Sequence, residues 1–261
     1  MKWLAVAGLT ALSFAVSGQD VLPDWVLRLS RVKHHLKDNF ERIPNYVCRE
    51  SVERYQRAAL QGQSVKIDGL EFDVAEVDRK ELLARPGAGG FEDREISSYV
   101  SNGIMGTGSF ASLPMILFVE DRARVTPHQP SVRNREGWDY DVPAFLHPYE
   151  IASEGVRTSV AVRGTFWVRG ENMDLIRIEE AIVDPPMQTG MRASSTDVEY
   201  ARMQIGTSSV LLPQSAELTV VHLDGTEMRN QIRFSDCREY RAESSVRFGD
   251  TVEPAPSVKK K

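Results

Sequence analysis

Two cysteines, Cys48 and Cys237, carry the plainest chemistry in this chain. In an oxidising compartment an isolated pair forms a disulfide. Such a bond would tie the point just after the first predicted helix to the last predicted strand. The chain-entropy account assigns so long a loop about 5 kcal/mol as an upper figure. A redox or nucleophilic thiol needs a neighbouring base or a Cys-x-x-Cys partner, and the sequence offers neither. The other combinations that support catalysis are incomplete. Gly106-Thr107-Gly108-Ser109-Phe110 has the wrong spacing for a nucleophile elbow. Ser30-Arg31-Val32-Lys33 fits Ser-x-x-Lys, but it lies inside a predicted helix and its companion motifs are missing. The glycines between Gly103 and Gly108 lack the preceding strand and the Lys-Ser/Thr pair that cradle a phosphate. His34 and His35 are neighbours on a helix and point about 100° apart, so they read as surface residues. His128, His147 and His222 are scattered, and no zinc site is expected. Asp139 and Asp141 share one strand face with Trp138 and Tyr140 on the other, which reads as a solvated face and not as a glycosidase pair. Arg122, Arg124, Arg133 and Arg135, interleaved with Asp121 and Glu136, read as a mixed-sign surface. No catalytic residue, metal or cofactor is expected.

The 261 residues must therefore be read for what they enclose. Hydrophobic content of 41% and charged content of 26% are those of an ordinary globular domain. The net charge of −5 argues against a nucleic-acid partner, which needs a concentrated basic face. Lys2 followed by an apolar run from Trp3 to Val16, then Ala15-Val16-Ser17, reads as a cleaved export signal too short to span a membrane. No cysteine follows the cleavage site, so no lipoprotein anchor is expected. The predicted location is periplasmic or secreted. Residues 1–18 are assigned to the signal, 19–249 to a single domain, and 250–261, Pro-rich and ending in three lysines, to a disordered tail.

Trp25, Leu29, Val32, Leu36, Phe40 and Ile43 recur at helical steps after Pro23-Asp24, and Pro44 stops the pattern. From Asn45 the chain reads as extended, with Tyr46, Cys48, Glu50 and Val52 on one face. A second strand is predicted from about Leu70 to Leu83, with Leu70, Phe72, Val74 and Glu76 together. Residues 86–120 break this pattern. A loop at 86–90 precedes predicted helices at 91–100 and 109–117. The apolar load of this segment, including Ile104 and Met105 between the helices and Phe110, Leu113, Met115 and Leu117, exceeds what a surface linker needs, so the short helices must cover an open sheet face. Strands return over 122–126, 136–142, 156–168, 175–182, 194–205, 209–223, 227–234 and 238–248. Tight turns are predicted at 169–174 and at Asp224-Gly225. Nine or ten consecutive antiparallel strands imply one large curved sheet that must close or be covered. The fold class is α+β, mostly antiparallel β.

Phe166-Trp167-Val168 followed by a polar turn and Leu175-Ile176-Arg177 resembles a hairpin of the LolA-like superfamily of periplasmic lipoprotein carriers. Val198-Glu199-Tyr200 followed by Leu211-Leu212-Pro213 resembles the next strand pair there. The resemblance covers the first helix and residues 156–223. The cysteine pair and the middle segment depart from it. The chain also resembles exported bacterial proteins of no assigned activity that share Pro44-Asn45-Tyr46-x-Cys48-Arg49-Glu50 and Cys237-Arg238-Glu239-Tyr240. The LolA resemblance implies an incomplete barrel with helices plugging its concave side, a shape suited to an acyl chain. The function expected on that basis is non-enzymatic binding of a lipid or a lipidated partner. Ile104, Met105, Phe110, Leu113, Met115 and Leu117, with Trp167 from the sheet, would line the site. The second reading is an envelope scaffold with a filled core and a protein partner. A hydrolase with an unfamiliar site is third.

Overall fold

The computed structural model describes residues 22–58, 62–88, 90–91, 99–100, 112–129, 134–145, 149–153 and 156–240. The predicted signal, the helix core at 92–98, Ile104, Met105, Phe110, Arg133, His147 and the tail lie outside them.

Helix α1 spans Asp24–Glu41. Its residues Val32, Leu36 and Phe40, spaced by four, are buried, and Leu29 and Ile43 pack beside them. Trp25 does not join this stripe: it is 40% exposed. The first helical turn thus adds nothing to the core, and the burying face starts one turn later than its spacing predicts.

Among the described residues eleven strands follow in one antiparallel sheet. They are β1 (Tyr46–Arg57), β2 (Val65–Val77), β3 (Lys80–Ala84), β4 (Arg124–Pro127), β5 (Arg135–Val142), β6 (Tyr149–Ser153), β7 (Val156–Arg169), β8 (Leu175–Val183), β9 (Met191–Ile205), β10 (Ser208–His222) and β11 (Glu227–Glu239). Their order is β3-β2-β1-β11-β10-β9-β8-β7-β5-β4, with β6 pairing the first half of β7 on the edge whose second half β5 occupies. The sheet is curled and does not close, since β3 and β4 end it without pairing to each other. Between β3 and β4, α2 (Ser112–Pro114) passes into a π-helical turn at Met115–Val119. This short helix and α1 pack on the inner face of the sheet.

Three strand assignments differ from the sequence reading. The single strand predicted from Leu70 to Leu83 is the β2–β3 hairpin. Asp78 and Arg79 both take positive φ, 52° and 66°, the backbone of a two-residue turn that usually signals itself by Asn-Gly. The Asn45 side chain accepts the Asp78 N–H at 3.0 Å and helps hold that turn. Strand β6 was not foreseen. Strand β11 runs unbroken to Glu239, so the two predicted strands at 227–234 and 238–248 are one up to that point.

The first and last strands are neighbours, which brings the two ends of the domain together mid-sheet. Val47 pairs Arg238 and Arg49 pairs Ser235, so Asp236 and Cys237 together stand opposite the single residue Cys48. That bulge sets the Cys48 and Cys237 Cα atoms 4.0 Å apart, and their sulfurs are bonded. The disulfide foreseen from the cysteine count is present.

Candidate functional site

Cross-strand register places one residue from each of seven strands in a row across the inner face. Val52, Ile232, Ala216, Val198, Ile178, Phe166 and Trp138 are successive neighbours. All are buried. Period-2 alternation in each strand, kept in step by antiparallel pairing, makes this row apolar and continuous. The helices close over it. The Phe118 ring stacks on Phe40 at 5.9 Å and meets Phe166 edge-on at 5.0 Å, while Phe40 meets Tyr200 edge-on at 6.3 Å. Leu113 and Leu117 are buried in the same cluster, and Met115 packs against it. The structure therefore brings these three predicted lining residues together on the inner face.

Trp167 is not with them. It alternates away from its buried neighbours Phe166 and Val168, packs edge-on to His128 with ring centres 4.9 Å apart, and covers Gly137 on the outer face. Two aromatic residues in succession leave the choice of inward side open in sequence, and here the inward one is Phe166. Asp139 is also on the outer face, as expected, bonded to His128 Nδ1 at 2.8 Å and accepting from Thr165 Oγ1 at 2.7 Å.

Two residues along the strands lies a second row of different character. Arg54, Asn230, Leu218, Thr196, Glu180, Gly164 and Tyr140 are successive neighbours. Arg54 and Asn230 are each 1% exposed, and Glu180 and Tyr140 are buried. Arg54 donates through Nε to Asp68 at 2.7 Å and through a second nitrogen to the other oxygen of that carboxylate. Tyr140 donates to the Glu179 carbonyl at 3.0 Å, over Gly164. A Cβ at Gly164 would fall 1.7 Å from that same carbonyl oxygen, which is why this position takes glycine.

Beyond the apolar row on the other side stands Glu50, flanked by Phe234 on β11 and Phe72 on β2. It is fully buried, and among the described residues neither carboxylate oxygen has a hydrogen-bond partner. Burial, and then the negative charge of Glu81, raise its pKa to about 8. Tyr46, on the same face of β1, is pushed well up by burial and then by Glu76 and Glu81. Burial also raises Glu76. Trp138 Nε1 is a further inner polar atom without a partner among the described residues. The inner face thus carries an orphaned acceptor and an orphaned donor among its apolar residues.

Polar clasps hold α1 over this interior. Arg28 forks onto Glu136 at 2.8 and 2.7 Å and donates to the Gly170 carbonyl at 2.8 Å. His35 Nε2 lies 3.0 Å from Asp174, and Arg202 of β9 forks onto the same carboxylate. Burial would raise the Asp174 pKa, but the hydrogen bonds from Arg202 and His35, with their charges, bring it below the usual value. Lys33 pairs Asp121, just past the short helix. The Asn39 side-chain Oδ1 accepts the Leu211 N–H at 3.3 Å. His35 is therefore a clasp residue and not the free surface histidine read from sequence; His34 is exposed, 3.8 Å from Asp38. Glu50, Arg54, Glu180, Asn230 and Asp174 were missed as functional candidates. Only Glu50 carried a signal, an acid in the inward register of Tyr46, Cys48 and Val52.

Among the described residues no group of three His, Cys, Asp or Glu side chains is placed to hold a metal ion. None of their helices is long and apolar enough to cross a membrane.

No protein-family model matches the chain. No curated protein matches it either. Solved structures do. A LolA superfamily protein from Nitrosomonas europaea aligns over 82% of this chain and 94% of its own, with 10% identity and a TM-score of 0.41. A DUF1329 family protein from Desulfovibrio piger aligns over the same shares with 9% identity and a TM-score of 0.40. A domain named for outer membrane lipoprotein sorting, from Vibrio parahaemolyticus, aligns over 81% and 91% with 10% identity and a TM-score of 0.34.

Proposed function

We propose that this chain is an exported, non-enzymatic binding protein that holds a lipid or acyl chain, free or on a lipidated partner, against the inner face of its curled sheet. One observation carries the reading. A continuous apolar row seven strands wide is closed by α1 and one short helix rather than by a second sheet, and polar clasps join α1 to the sheet beside its buried Val32, Leu36 and Phe40. Such clasps exchange readily for water, whereas the apolar face beneath must always be covered by something greasy. Helix displacement would let an acyl chain take the place of Leu117, Phe118 and Phe40 with little change in buried apolar area. Residues 104, 105 and 110 belong to this lining in the proposal, as do Leu113 and Met115. Residues 1–18 act as a cleaved signal, 19–249 form the binding domain, and 250–261 a loose tail, so the protein works in the periplasm or outside the cell.

The packed Phe40–Phe118–Phe166 interior also suits a second reading, an envelope scaffold whose core stays filled. Organic extraction of natively purified protein, followed by mass spectrometry, separates the two. Co-purifying lipid, or saturable uptake of a fluorescent fatty acid, is expected for the carrier. A clean extract with no uptake leaves the scaffold.

A further inference from the structure

We propose that Glu50 is the seat of a primary ammonium group, the head of an amphiphile whose chain lies on the apolar row. This inference rests on the ligand-holding reading above and narrows the ligand to a cationic amphiphile.

Glu50 is fully buried, points to the same face as Val52, and has no hydrogen-bond partner for either oxygen among the described residues. An unpaired buried polar group works against folding, and an ionised one far more so. Cys48 and Val52, the residues before and after it on that face, are buried and meet their packing needs without a carboxyl. A ligand that donates to Glu50 accounts for the acid at this position.

The surroundings select the sign of that ligand. Glu76 and Glu81 face each other across the β2–β3 pair, and Tyr46 is opposite Glu76. All three share the face of Glu50, and the charge of Glu81 reaches it. The one cation on that face of β1, Arg54, is committed to Asp68. Arg49 lies on the opposite face, bonded to Asp73 at 2.7 Å. Arg85, which follows β3, lies over the Tyr99 ring at 5.5 Å, and the charge that acts on Glu50 is the negative one of Glu81, which repels a carboxylate head and attracts an ammonium. An ammonium brings three N–H donors and no acceptor, the complement of what Glu50 lacks. Phe72 and Phe234 on the flanking strands give the first carbons of its chain an apolar bed.

The experiment uses the full-length mature protein loaded with Nile red at pH 7. Dodecylammonium, dodecanol and dodecanoate, each below its micellar concentration, compete for the dye. In the wild type, dodecylammonium should displace Nile red at a concentration about tenfold lower than dodecanol, with dodecanoate weakest. In E50Q the ammonium should lose that advantage while dodecanol is unchanged. Equal displacement by all three in the wild type, or an E50Q protein that keeps the preference for ammonium, would overturn the cation seat while leaving the chamber intact. A wild-type protein that takes up no Nile red would remove the chamber itself, and the seat with it. The wild-type ranking decides the question even where E50Q folds poorly.

Discussion

A carboxyl group whose pKa in the folded chain is about 8 binds its proton more tightly there than in the unfolded chain, where the ordinary value is about 4.3. Glu50 therefore makes the folded state hold one proton more than the unfolded state between these values. Stability attached to that proton is fully present below the unfolded pKa, falls as pH rises, and is gone above about 8. Glu50→Gln has no such proton. Relative to wild type, E50Q should gain stability from pH 4 to pH 8 by the order of a few kcal/mol, read from urea unfolding at each pH. Parallel pH profiles for the two proteins would contradict the buried, unpaired state of Glu50. Asp174 has the opposite sign. Its lowered pKa stabilises the fold above its unfolded value, and that contribution is lost as pH falls through the folded value. Asp174→Ala leaves His35 and Arg202 without their shared acceptor and should cost about 1–3 kcal/mol, with faster hydrogen exchange in α1 as the local sign. The inward acid at 50 was legible in the alternation of β1. The role of Asp174 was not, because its partners come from positions 35 and 202 and only the fold joins them.

At the scale of elements, the short helix depends on one ring. Phe118 is 2% exposed and sits between Phe40 of α1 and Phe166 of β7. Phe118→Ala should destabilise the protein by about 3–5 kcal/mol, measured by denaturant unfolding, because two helices and the sheet lose a common contact. A change under about 1 kcal/mol would show that the short helix is dispensable to the core. Helix α1 was legible because its apolar spacing and Pro44 agree, although the overshoot at Trp25 was not, since spacing cannot tell where the covered sheet ends. The β2–β3 hairpin was hidden because Asp78-Arg79 lacks the glycine that positive φ usually brings. Trp167 was misplaced for a related reason. Phe166 and Trp167 both suit an interior, and the register that turns Phe166 inward is set by Trp138 on β5, not by local sequence.

The whole molecule is a ribbon whose first and last long strands meet, so the Cys48–Cys237 bond closes almost the full domain into a loop. Thiol labelling of the unfolded, unreduced protein should find no free cysteine. Reduction should lower stability by about 2–5 kcal/mol. The curled sheet was legible from alternation and short turns, while the polar row through Arg54 and Glu180 emerged only once seven strands were in register. The central claim is that an acyl chain lies on the inner face, where Trp138 is buried and Trp167 is not represented. The most direct test is fluorescence of the mature W25F/W167F protein, in which Trp138 reports from that face alone, titrated with a bromine-labelled acyl amphiphile. Saturable quenching of Trp138 is predicted. Undiminished Trp138 emission, with quenching instead of Trp167 in a W25F/W138F protein, would place the chain on the outer face and contradict the account.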